Sequence, residues 1–135
     1  MAGWVLYRDG DIYFQMDAAP KVAPLIDGEL WELTEDFEVN IQEYSFVVPK
    51  GFVTDGASIP RFFWRLCGHP LEATRFPAAI VHDFLYYEDT GVDRKTADEL
   101  YRKMLIALGE SKFAARVEWI ALRCFGWRRW NSHEP

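Results

Sequence analysis

Three features of this 135-residue chain predict an α+β fold. The first fifty residues carry short runs in which apolar and polar side chains alternate, the period of half-buried strands. Residues 93–126 carry two apolar stripes at helical spacing, each preceded by a capping residue. Between them runs Pro77–Tyr86, almost wholly apolar and opened by a proline that helices tolerate in their first turn. A sheet followed by helices is α+β: here a small, mostly antiparallel N-terminal sheet and three to four C-terminal helices.

The strands come first. Trp4–Tyr7 and Ile12–Met16 flank Arg8-Asp9-Gly10-Asp11, and Asp-Gly between apolar runs signals a hairpin. Pro20 and Pro24 mark a loop. Leu30–Leu33, Phe37–Ile41 and Tyr44–Val48 are three further strand-like runs, closed by Pro49-Lys50-Gly51. Phe52–Pro60 then reads as a loop that turns at Asp55-Gly56, with Ser58 as a local cap. Arg61–Leu66 holds Phe62, Phe63 and Trp64, too many aromatics to expose together. A short helix packed on the sheet, or a contact with a partner chain, would bury at least two of them.

The helices follow. Gly68-His69-Pro70 breaks the aromatic segment, and a helix is expected from Pro77 to about Tyr87. Asp93 is the expected N-cap of the next, with Ala97, Leu100, Tyr101, Met104, Leu105 and Leu108 inward and Gly109 as its stop. Ser111 caps a further helix, with Phe113, Val117, Ile120, Ala121 and Cys124 expected inward and Gly126 at its end.

The length suits one domain over 1–135, strand-rich to residue 51, with a loop and helices beyond. Half the residues are apolar, so the chain can bury a core. No apolar run reaches a membrane span, and the start lacks a signal-peptide pattern. Cys67 and Cys124 fit no metal spacing and form no disulfide framework, which suits a reducing cytoplasm. A net charge of −6 argues against a nucleic-acid partner. The acids concentrate early: residues 1–50 hold ten acidic and three basic side chains, while Arg123, Arg128 and Arg129 make a small basic end. Such asymmetry fits either a solvated face or contact with another chain.

On the Pro77 helix His82 and Tyr86 share a face at i,i+4, with Asp83 beside them. Asp98 opens the next apolar stripe, where that helix can meet His82. A carboxylate there would hold the imidazole's tautomer and stabilise its protonated form, as a general base requires. Asp83 projects to another side, toward a cation whose carbonyl and carboxylate ligands the Thr54–Ser58 loop can supply. The structural alternative makes His82 a satisfied core histidine, Asp55 a turn residue, and Asp98 a cap or the partner of Arg61 or Arg94.

Two resemblances add to this reading. Phe52–Pro60, Ala79–Tyr86, Arg94 with Ala97-Asp98, and Ala121–Trp127, in that order, resemble the domain-of-unknown-function family 1353. Its members are small proteins of tailed phages and prophages, which implies manufacture in a host cytoplasm, a place in or near the virion, and phage structural proteins as partners. Separately, Ala78–Tyr86 is similar to the active-site helix of phospholipases A2, and Ala97-Asp98 to the Ala-Asp of the viral type. That resemblance implies His82 as base, Asp98 as its partner, Tyr86 as a supporting hydrogen bond, and Asp83 as a Ca2+ ligand helped by Asp55 and Gly56. It also implies a lipid ester substrate. The cysteines of the secreted enzymes stand here as Ala78, Ala79 and Leu85, and only Gly51 and Gly56 represent their glycine-rich calcium loop.

Three functions are therefore in view. One is a virion- or tail-associated, calcium-dependent hydrolase of phospholipase A2 type. Another is a tail or baseplate component whose polar cluster is structural. A third is a transition-metal hydrolase using His69, His82 and Asp83.

Overall fold

The computed structural model describes residues 5–26, 30–54, 75–88 and 90–132. Among the described residues seven strands precede four helices, the α+β order expected. They are β1 (Val5–Asp9), β2 (Ile12–Met16), β3 (Val22–Pro24), β4 (Trp31–Leu33), β5 (Phe37–Ile41), β6 (Tyr44–Val48) and β7 (Val53–Thr54). The helices are α1 (Phe76–Tyr87), α2 (Arg94–Ala107), α3 (Lys112–Phe125) and α4 (Trp127–Ser132). Among the described residues no helix is long and apolar enough to cross a membrane. The aromatic segment Phe62–Trp64 and the loop residues Asp55, Gly56 and Ser58 lie outside the described residues, as do Cys67 and His69.

The strands form two antiparallel sheets where one was expected. A four-stranded sheet runs in the order β1-β2-β5-β6, and a three-stranded one in the order β3-β4-β7. The Asp-Gly hairpin pairs Asp9 with Ile12, with Gly10 at φ 57°, a left-handed turn conformation that glycine adopts without penalty. The second sheet arises because Val22–Pro24 pairs with β4 instead of looping past it. Pro24 ends an edge strand, a place where its missing N–H breaks no ladder. Register in the larger sheet follows the side-chain period of two. In β5, Phe37, Val39 and Ile41 are buried while Glu38 is exposed.

Helix α1 is buried almost all round, from Pro77 through Val81 and on to Leu85 and Tyr86, as its apolar composition requires. It packs on α2 and on β6, and α2 lies across β1 and β2. The caps act as expected. Asp93 Oδ1 accepts from the Thr96 backbone N–H at 2.8 Å, and Ser111 Oγ from that of Ala114 at 3.0 Å.

The facing of α3 corrects the sequence expectation. Ala115, Glu118, Ala121 and Leu122 are buried, whereas Phe113 is 69% and Ile120 45% exposed, and Cys124 is also exposed. Glu118 turns the helix. Its carboxylate meets Arg75 and Tyr101 inside the core, and a buried carboxylate needs such partners more than Phe113 needs burial. The small Ala115 and Ala121 leave room for α3 to come close to its neighbours.

Candidate functional site: a buried histidine–aspartate cluster

The middle of α1 meets the second turn of α2 here. Pro77 starts α1 so that His82 and Tyr86, one turn apart, both face α2. Asp93 caps α2 so that Asp98 lies in its second turn, opposite His82. His82 Nε2 stands 2.8 Å from Asp98 Oδ1, and the Tyr86 hydroxyl donates to the same oxygen at 2.6 Å. A carboxylate only accepts, so it is Nε2 that carries the proton shared with Asp98. Among the described residues Nδ1 has no hydrogen-bond partner, although it is buried. The imidazole lies between two tyrosine rings, Tyr86 at 4.3 Å and Tyr101 at 4.9 Å between centroids, which fix its plane.

The other Asp98 oxygen belongs to arginines. Arg123 of α3 donates to Oδ2 at 2.9 Å, and Arg94 Nε stands 3.9 Å away from it, one turn earlier on α2. Burial pushes the Asp98 carboxyl up, but the hydrogen bond and charge of His82, with the bonds from Tyr86 and Arg123, outweigh it. The net result is a carboxylate held below its ordinary range. Burial also pushes the Tyr86 phenol up, and the adjacent Asp98 charge adds to the rise, so Tyr86 stays a donor. Arg94 meets the alternative expectation for Asp98 only in part, as one of four contacts; Arg61 lies outside the described residues.

A pH consequence follows. The Asp98 carboxyl is depressed in the folded state, so its contribution is fully present above the unfolded value of about 3.9. It is lost as pH falls through the lower folded value. In denaturation at stepped pH, Asp98→Asn is expected to show a flatter loss of stability below about pH 4 than the parent.

Asp83 does not stand open to a cation as expected. It is 1% exposed, Thr54 Oγ1 donates to its Oδ2 at 2.5 Å, and Arg129 Nη2 reaches its Oδ1 at 3.2 Å. Two separate elements bring these partners: the end of β7 carries Thr54, and the short α4 returns Arg129, whose guanidinium also bonds the Tyr87 hydroxyl. Calcium takes about six to eight oxygen ligands. No group of three or more His, Cys, Asp or Glu side chains that could hold a metal occurs among the described residues. Of the three residues expected to hold the cation only Asp83 is among those described, and it faces a guanidinium; Asp55 and Gly56 lie outside the described residues.

Gly126 protects this arrangement by having no side chain. A Cβ there would stand 2.5 Å from the Tyr86 hydroxyl, 2.6 Å from the Leu122 carbonyl and 3.3 Å from Arg94 Nη2. Its φ is −70°, so close approach and not backbone freedom explains the residue. Gly126→Ala is expected to destabilise by about 1–3 kcal/mol, as overpacking does. The urea midpoint checks this.

Residues 31–122 match the family described as Protein of unknown function (DUF1353), and they take in the whole His82, Tyr86 and Asp98 cluster. The chain belongs to the DUF1353 family. It is also 31% identical over 101 residues to "Uncharacterized protein y4jT" of Sinorhizobium fredii (strain NBRC 101917 / NGR234). The match covers 72% of this chain but 29% of that relative, so the chain spans well under half the relative's length. No solved structure matches this DUF1353 chain.

The sequence reading missed several partners of the cluster. Arg123 and Arg129 were visible only as a basic end, and nothing in their spacing points at Asp98 or Asp83. A second buried group, in this DUF1353 chain as described, escaped notice altogether. Arg75, just ahead of α1, pairs with Glu118 and lies 3.2 Å from Glu110, while Tyr101 donates to Glu118 at 2.9 Å. Burial pushes the Glu118 carboxyl up, and the Arg75 and Tyr101 bonds offset only part of that rise. Glu118 differs from Asp98 because its donors converge on Oε1, leaving Oε2 without a hydrogen bond among the described residues.

Proposed function

We propose that this chain is a phage-encoded, virion- or tail-associated hydrolase of lipid esters in which His82 is the general base. The observation that supports it most is Nδ1 of His82. A histidine kept for packing has both ring nitrogens satisfied, whereas this one is oriented through Nε2 by a carboxylate and keeps Nδ1 unused. In the proposed step Nδ1 takes a proton from water as the water oxygen adds to the acyl carbon. Asp98 stabilises the resulting imidazolium, and Tyr86 fixes Asp98. The proton then passes from Nδ1 to the departing alkoxide as the carbon–oxygen bond breaks.

Calcium at Asp83, with Asp55 and Gly56, is part of this proposal by resemblance. Because Arg129 already faces Asp83, the ion can engage the carboxylate only by displacing the guanidinium. Calorimetric titration is therefore expected to show Arg129→Gln binding Ca2+ at least about tenfold more tightly than the parent, with Asp83→Asn weaker than both. Fatty acid release from phospholipid vesicles by the purified protein tests the hydrolytic reading. Absence of release at every calcium concentration would count against it.

A second reading has its own support. The His82 and Asp98 side chains are 1% and 0% exposed, and Arg123 and Arg94 counter the Asp98 charge, as a structural cluster requires. On that reading the chain is a non-catalytic tail or baseplate component, and it is found in particles at fixed stoichiometry with no hydrolysis.

A further inference from the structure

The outward face of α3 and α4 carries an apolar stripe whose largest side chains are exposed. Phe113, Val117, Ile120, Cys124 and Trp127 recur at three- and four-residue steps, so they fall on one side of the helix. Gly126 keeps a helical φ of −70° and ψ of −16°, and the Trp130 N–H bonds its carbonyl, so α4 carries the stripe onward. Phe113 is 69%, Ile120 45% and Trp127 49% exposed.

Charge tells what suits this face. From residue 111 to 132 the basic side chains are Lys112, Arg116, Arg123, Arg128 and Arg129, and the only acid is Glu118. Glu118 is fully buried against Arg75 and adds nothing to the surface. Lys112, Arg116 and Arg128 are exposed, and Arg123 is partly so. A chain of net charge −6 thus presents an aromatic, apolar face on two helices whose own exposed charges, among the described residues, are all cationic. A second copy pairing through the same face would set these cations against one another. Aromatic and aliphatic side chains flanked by Lys and Arg are instead what the boundary of an anionic bilayer accepts. The rings enter among the acyl chains, while the long basic stems reach the headgroups.

We propose that the α3–α4 face is a docking surface for anionic lipid membranes. The proposal rests on this surface chemistry and not on the hydrolytic reading. The same two helices supply Arg123 to Asp98 and Arg129 to Asp83 from their inner side, so the docked face and the buried carboxylates lie on opposite sides of these helices.

The test uses vesicles of diether phosphatidylglycerol and diether phosphatidylcholine, which contain no acyl ester to hydrolyse. The full chain is expected to sediment with mixed vesicles and to stay in solution with purely neutral ones. Phe113→Ser with Ile120→Ser should weaken partitioning on the order of tenfold or more, circular dichroism confirming the fold. Lys112→Gln with Arg116→Gln, both exposed, should weaken it similarly and flatten its salt dependence. His82→Asn should bind as the parent does, which separates docking from hydrolysis. The proposal is overturned by absence of binding, by equal binding to neutral vesicles, or by both double variants behaving as the parent. Sedimentation of the parent as a dimer that Phe113→Ser with Ile120→Ser dissociates would assign the face to a second copy instead. Equal affinity for soluble polyglutamate would assign it to an acidic polypeptide.

Discussion

His82→Asn is expected to lower ester hydrolysis on the order of a hundredfold or more while the protein still folds. Asparagine keeps polarity and approximate size, and its amide can still offer an N–H toward Asp98. What it lacks is the basic nitrogen at Nδ1. The effect should fall on kcat, since the base acts on water in the transition state and not in holding lipid. The stability cost should be no more than about 1.5–3 kcal/mol, the range for a hydrogen bond to a charged group. Parallel kinetics and chemical denaturation check both numbers. A variant as active as the parent would show that hydrolysis does not pass through His82. A variant that fails to fold would favour the structural reading of the cluster.

The largest expected loss of stability lies elsewhere, at Arg75. This side chain is buried at the start of α1 and carries the positive charge beside Glu118, which is itself fully buried. Arg75→Met fills similar space but leaves a carboxylate inside the core with only the Tyr101 hydroxyl as a described donor. Removing one partner of a buried pair costs about 3–5 kcal/mol. The double variant Arg75→Met with Glu118→Leu should recover most of that loss, because no charge is then stranded. Denaturant unfolding of the two variants decides the matter. A cost below about 1 kcal/mol for Arg75→Met would mean that the pair does not anchor α1. Since α1 carries His82, a real anchor should also disturb the His82–Asp98 contact when it is removed.

Much of the fold could be read from local patterns. The Asp9-Gly10-Asp11 hairpin, the Asp93 and Ser111 caps, and Pro77 at the head of α1 all act within a few residues of themselves. That is why sequence spacing sufficed for them. The cluster geometry was legible in the same way: His82 and Tyr86 share a face because they are one turn apart. Asp98 meets them because the apolar stripe of α2 fixes which side it presents. What was not legible depended on residues far apart in the chain. Two sheets replaced one because Val22–Pro24 and Val53–Thr54 both chose β4 as partner.

The helix α3 shows the limit most clearly. Its apolar residues Phe113, Ile120 and Cys124 line up at good helical spacing, and by that criterion alone they belong in the core. Only the folded chain brings Arg75 and Tyr101 to Glu118, and the need to satisfy a buried carboxylate then rotates the helix the other way. The same long-range packing sets Arg123 on Asp98 and Arg129 on Asp83. The sequence by itself therefore determined the α+β class, the capped helices and the His82, Tyr86 and Asp98 face, because each rests on short-range periodicity. The tertiary structure alone decided which charges pair in the interior and which apolar stripe is left outside. Those outcomes depend on desolvation, and the burial of a side chain exists only once distant segments have packed.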